Sequence, residues 1–176
     1  GALGRHVPAR RPGCPGAPTH RSYGTSYESM ASRRTSDLVA LGGFFAVCFG
    51  VAAVGGAITG ESVDTWYRTL SKPAFNPPDW VFAPVWTVLY AMMAVAGWRV
   101  WRRRGALGRS RALGLFTVQL LLNLAWSALF FGLHRIGVAL ADIGLLLVLI
   151  VATTRAFVRV DRTAGLLFVP YALWVA

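Results

Sequence analysis

Hydrophobic and polar residues segregate along this chain on the scale of whole helices. Apolar runs over 37–59, 77–101, 112–133, 137–158 and 163–176 are parted by polar or arginine-rich connections. Each of the first four is about 22 to 25 residues long. At 1.5 Å per residue that crosses a hydrocarbon core near 30 Å. The pattern predicts one all-α integral membrane domain over 37–176, a bundle of five transmembrane helices. The fifth run covers only about 14 residues, or about 21 Å, so a fifth helix truncated at the end of this chain is expected. Residues 1–36 are rich in Pro, Gly, Arg and Ser with no apolar period, and predict a disordered segment. Met30, followed by Ala-Ser-Arg-Arg, has the character of a start, so extraneous sequence is expected before it.

Within the runs, helical spacing sorts residues onto faces. Gly42, Ala46 and Gly50, then Ala52, Gly56 and Gly60, recur every fourth residue and predict close helix contact, inside the bundle or across a homodimer. In the second run Trp86, Tyr90, Met93, Gly97 and Trp101 share a face, and Pro84 predicts an early bend. Asn76 is placed to cap that helix, with Pro77 at its first position. In the third run Gln119, Asn123, Trp126 and Phe130 share a face. Asn123 falls near mid-membrane, where an amide is expected to point into the bundle. Asp142 is the single acid of the fourth run. The connection 60–76 carries Trp66 and Tyr67 and is long enough to form an ordered lid, although interfacial belt residues would have the same composition.

Composition agrees with the pattern. The chain has 176 residues, of which 55% are hydrophobic and only 14% charged. A soluble domain has about 25% charged residues. The net charge of +11 raises nucleic-acid binding as an alternative. The arginines, however, sit in short clusters beside apolar runs, where membrane topology places them, so no nucleic-acid partner is expected. Their asymmetry predicts a cytoplasmic N-terminus, with the 60–76 connection outside. Cys14 and Cys48 belong to no Cys/His cluster, so neither a disulfide nor a metal site is expected. His134 has no Ser or Cys partner in the pattern, and no catalytic constellation or required cofactor is read. What remains is a set of inward aromatic and polar groups: Trp86, Tyr90, Asn123, Trp126, Asp142, Tyr171 and Trp174. They suit a flat apolar small molecule stacked on indole and phenol faces and oriented by a few polar atoms.

One long motif carries a resemblance. Trp66-Tyr67, Lys72-Pro73-x-Phe75-x-Pro77-Pro78-x-Trp80-Val81-Phe82-x-Pro84-Val85-Trp86-Thr87-x-Leu89-Tyr90 resembles the TspO/translocator protein family, in its bacterial form. So does Gln119-x-x-x-Asn123-x-x-Trp126 with Phe130-Phe131-Gly132. The resemblance implies five membrane helices around a cavity beneath the first loop, in a bacterial cell membrane. It implies binding of porphyrins, and in many members of sterols or benzodiazepine-type ligands. Trp66, Trp86, Asn123, Trp126, Asp142 and Trp174 match family positions. Some bacterial members promote light-dependent protoporphyrin breakdown, which would make Trp86 and Trp174 the catalytic pair. Two departures stand out: Ser127-Ala128 replaces two prolines of animal members, and the animal cholesterol-recognition segment lies beyond Ala176. Three readings follow, namely a tetrapyrrole binder, a photo-oxidative enzyme and a porphyrin or sterol transporter. The single interior acid and the absence of an internal repeat count against ion-coupled transport.

Overall fold

The computed structural model describes residues 21–63, 65–70 and 78–176. The chain divides into two units, Gly1–Ser36 and Asp37–Ala176. All regular structure among the described residues is helical: α1 (Arg21–Val63), a 3-10 turn (Tyr67–Thr69), α2 (Asp79–Arg102), α3 (Arg109–Ser127), a π-helical turn (Ala128–Gly132), α4 (Ile136–Val160), α5 (Arg162–Leu167) and α6 (Val169–Val175). Four of these helices, with α3 continued through its π turn, are long and apolar enough to cross a membrane. The α5–α6 pair forms the shorter fifth element.

The element boundaries depart from the sequence expectation in four places. First, α1 begins at Arg21, inside the segment 1–36 that was expected to be disordered. Glu28, Met30, Ala31 and the arginines there are good helix formers, and extending an existing helix costs little compared with starting one. Second, α2 begins at Asp79, and the proposed cap Asn76 with Pro77 lies outside the described residues. Third, α3 ends in a π turn, in which the Leu133 N–H donates to the Ala128 carbonyl five residues back at 2.8 Å. Fourth, the fifth helix is two helices parted at Phe168. Pro170 has no N–H for the Leu166 carbonyl, so the α-helical ladder is interrupted there.

The core lies among α2, α3, α4 and α5. Phe116 stacks on Phe157 at 5.9 Å, Phe157 meets Phe168 at 5.0 Å, and Phe168 meets Tyr171 at 6.0 Å. Leu89, Met93, Val100, Leu146 and Ile150 fill the space around them. Two glycines are required by close approach. A Cβ on Gly97 would lie 2.8 Å from the Phe44 ring, and one on Gly165 would lie 2.2 Å from Val158 Cγ2 and 2.8 Å from the Val158 backbone nitrogen. Outward positions such as Val54, Val88, Leu121, Leu140, Val148 and Leu173 are large, apolar and exposed, as lipid-facing residues are.

One end of the bundle is tied by charge. Asp161, between α4 and α5, caps α5 by accepting from the Ala164 N–H at 2.9 Å. It also accepts from Arg99 Nε at 3.1 Å and Arg103 Nη2 at 2.7 Å, joining the end of α2 to the start of α5. Burial pushes its carboxyl pKa up, but the Ala164 N–H and the two guanidiniums outweigh burial and hold it at about 2. At the same end Arg102 pairs with Asp37 at 3.0 Å, and Trp98 Nε1 donates to the Asp37 carbonyl at 2.9 Å.

Candidate functional site: an aromatic cavity under the first loop

At the opposite end, α1, α2, α3, α4 and α6 part around a cavity of about 670 Å³. Its volume falls in the range of small-molecule sites, roughly 300–1,000 Å³. Trp86 and Tyr90 of α2, Asn123 and Trp126 of α3, and Trp174 of α6 all line it. The i, i+4 spacing of Trp86 and Tyr90 puts both rings on one face, with centroids 5.7 Å apart. Trp174 meets Phe82 edge-on at 5.7 Å, so the wall formed by α6 is braced against α2.

A short string of hydrogen bonds orders the polar part of this wall. The Tyr90 hydroxyl donates to Asn123 Oδ1, and Asn123 Nδ2 donates to the Tyr171 hydroxyl at 2.9 Å. Both Gln119 and Asn123 are buried, as expected for amides at this depth. Tyr171 is fully buried behind the lining and braces Trp86 edge-on at 6.0 Å. Two further hydroxyls on the wall spend their protons on their own helices: Thr59 on the Gly55 carbonyl and Thr87 on the Ala83 carbonyl, each at 2.8 Å.

Three expected site residues stand off the cavity: Tyr171, behind the lining, and Trp66 and Asp142. Trp66 lies on the connection, with its ring 4.2 Å from that of His134 and 5.4 Å from that of Phe130. It anchors the described part of that connection to the π turn, while its neighbour Tyr67 reaches the cavity lining. Ser62 Oγ secures the same corner by donating to the Phe131 carbonyl at 2.6 Å. Asp142 is half-buried outside the lining, and its Oδ2 has no hydrogen-bond partner among the described residues.

The π turn shapes the far wall. The extra residue per turn rotates Phe130 and Phe131 relative to an α-helix. Trp126 stacks on Phe130 at 5.3 Å and meets Phe131 edge-on at 5.7 Å. Such π turns often occur at functional sites.

The profile of the TspO/MBR family matches residues 44–176. The chain belongs to this family. It is 43% identical over 134 residues to a "Tryptophan-rich protein TspO" of Chlorobaculum tepidum, covering 74% of this chain and 83% of the relative. A "Tryptophan-rich sensory protein" of Cereibacter sphaeroides is 41% identical over 131 residues, 74% of this chain and 79% of the relative. The human "Translocator protein" is 42% identical over 113 residues, 63% of this chain and 67% of the relative. Family membership and the four long apolar helices make this an integral membrane protein, whose environment is the lipid bilayer.

In this TspO/MBR chain one wall of the cavity is not marked by the aromatic and polar pattern of the sequence. The α1 helix supplies a whole wall, including Phe49, Ala52, Gly56 and Thr59. The small residues Ala52 and Gly56 predict a helix contact on this face. Instead, a Cβ on Gly56 would have nothing within 4 Å, and the face opens into the cavity. The aromatic Phe49, one turn before Ala52, is the available signal, because it shares that face with Ala52 and Gly56.

Proposed function

We propose that the protein binds a tetrapyrrole, of protoporphyrin type, in this cavity. The observation that carries the reading is the convergence of Trp86, Trp126 and Trp174, from three different helices, on one mostly apolar space. Indole faces offer large stacking area at low rotamer cost, and the Tyr90–Asn123–Tyr171 string gives one ordered polar spot to orient a flat ring system. The names of the relatives, a sensory protein and a translocator protein, accord with a ligand-responsive or ligand-carrying role. Titration of the purified protein with protoporphyrin in the dark tests the reading. A saturable change in the porphyrin absorption band is expected, and a strictly linear one would refute it.

A second reading is favoured by Trp86 and Trp174 facing the same space. A porphyrin held between two oxidisable indoles, illuminated in the presence of dioxygen as oxidant, would be degraded faster than in free solution. Trp86→Phe and Trp174→Phe keep a stacking ring but remove the indole. On this reading each binds porphyrin nearly as the parent does and loses most of the light-driven product. Equal photoproduct in both variants and the parent removes the enzymatic reading and leaves the binding one.

A further inference from the structure

The end of the bundle away from the cavity carries nine arginines: Arg99, Arg102, Arg103, Arg104, Arg109, Arg111, Arg155, Arg159 and Arg162. They fall into two sets. Arg99 and Arg103 pair with Asp161 and Arg102 pairs with Asp37, and these contacts hold helices together. The other six make no ion pair among the described residues. Arg104 and Arg109 instead lie over the Trp101 ring at 4.9 Å and 6.0 Å, and Arg109 Nε donates to the Trp101 carbonyl at 2.9 Å. Arg111, Arg155, Arg159 and Arg162 are exposed. Packing of Phe116 on Phe157 brings the start of α3 beside the end of α4, so all six surround one end of the bundle.

The connection between α2 and α3 adds an apolar point to this charged end. It is an ordered turn: Ala106 N donates to the Arg103 carbonyl at 3.0 Å, and Arg109 N to the Ala106 carbonyl at 3.3 Å. Gly105 at φ +87° and Gly108 at φ +81° adopt the left-handed backbone that closes it. Between them Leu107 is held out 95% exposed. An aqueous loop gains nothing from presenting a leucine among arginines. At the headgroup level of a bilayer, which Trp98 and Trp101 mark, cations meet phosphates and a leucine meets acyl chain.

We propose that this end is a binding surface for anionic phospholipid, with the outer six arginines holding headgroup phosphates and Leu107 seated at the headgroup–acyl boundary. Charge complementarity commits the surface to this occupant: among the described residues the two aspartates at this end are already engaged inside the bundle, so the outer cations are neutralised from the membrane. The protein would therefore gather anionic lipid around this end. Attraction of this kind grows with each added arginine near the surface and is screened by salt.

The test is lipid selectivity of the full chain in phosphatidylcholine vesicles carrying trace spin-labelled phosphatidylglycerol or spin-labelled phosphatidylcholine. The motionally restricted fraction of each label is read by electron paramagnetic resonance. Phosphatidylglycerol is expected to associate at least about threefold more strongly than phosphatidylcholine at low salt, falling toward parity in molar salt. The triple variant Arg155→Gln, Arg159→Gln, Arg162→Gln should lose at least half of that preference while melting as the parent does, since Asp161 and its two arginines are untouched. Leu107→Asn should lower association of both labels at this end. Equal association of the two labels in the parent overturns the proposal, as does a preference the triple variant leaves intact. Inorganic phosphate at constant ionic strength should leave the preference unchanged. If it abolishes the preference, the arginines form a site for free anions and the lipid assignment is wrong.

Discussion

Asn123 and Tyr171 are joined by a buried hydrogen bond of 2.9 Å across the interface of α3 and α6, and Tyr90 extends the string onto α2. Three helices that wall the cavity are thus held in register by one amide. Asn123→Leu strands two tyrosine hydroxyls. Hydrogen bonds between membrane helices contribute only about 0.6 kcal/mol on average, so the variant should fold and melt within a few degrees of the parent. Porphyrin affinity should fall more than tenfold, because the wall loses its ordered polar spot. Thermal unfolding in detergent beside a binding titration checks the split. A variant that fails to fold but binds normally when rescued by lipid would make Asn123 purely structural.

Gly165 sets the approach of α5 to α4. A methyl there meets both the Val158 side chain and its backbone nitrogen, at 2.2 Å and 2.8 Å. Gly165→Ala should destabilise by about 1–3 kcal/mol, as overpacked sites do. Val158→Ala added to it should recover part of the loss only, since the backbone contact remains. By contrast Gly43→Ala, with nothing within 4 Å, should leave the melting temperature unchanged. Melting curves of the four proteins decide the matter.

Asp161 gives the fold a defined acid sensitivity. Its pKa is held at about 2 in the folded protein, below its value of 3.8 when free, so the unfolded chain binds the proton more readily. The stabilisation is therefore complete above about pH 4 and is lost as pH falls toward 2. The shift corresponds to about 2 kcal/mol, and about 1 kcal/mol is the safer expectation because Arg99 and Arg103 are partly solvated. Asp161→Asn should melt lower at pH 6 and show a flatter pH profile between pH 5 and 2. An unchanged profile would separate acid sensitivity from this carboxylate.

Trp66 fastens the loop to the π turn without itself lining the cavity. Removing its contacts with His134 and Phe130 by Trp66→Ala should speed ligand release several-fold and leave overall stability nearly unchanged. Stopped-flow displacement of bound porphyrin measures this. An unaltered release rate means the loop is held by Tyr67 and Ser62 alone.

Much of this architecture was legible in the chain. Apolar runs of membrane length foretold the helices, and the i, i+4 spacing of Trp86 with Tyr90 and the i, i+3 spacing of Asn123 with Trp126 foretold which faces turn inward. Other features were not readable, for physical reasons. A stripe of small residues leaves a gap, but nothing local says whether a helix or a ligand fills it; Gly56 faced the cavity. The π turn packs Phe130 and Phe131 against Trp66 and Tyr67, contacts distant in sequence that no local pattern shows. Trp66 enters the expected site through its match to a family position, and its ring packs on His134 and Phe130, partners that lie about 65 residues on and that no local pattern shows. The break at Phe168 was readable in principle from Pro170, which has no N–H to offer the Leu166 carbonyl.

The central claim is that the aromatic cavity itself holds the tetrapyrrole. Gly56 lines it and a Cβ added there meets nothing within 4 Å, so Gly56→Leu is expected to project its side chain into the cavity rather than into a helix contact. Equilibrium titration of the parent and this variant with protoporphyrin, in the dark and at matched protein concentration, is the most direct test. The account predicts saturable binding by the parent and at least a tenfold weaker association for Gly56→Leu, with both proteins melting alike. Equal affinity of the two proteins would place the porphyrin elsewhere and contradict the account.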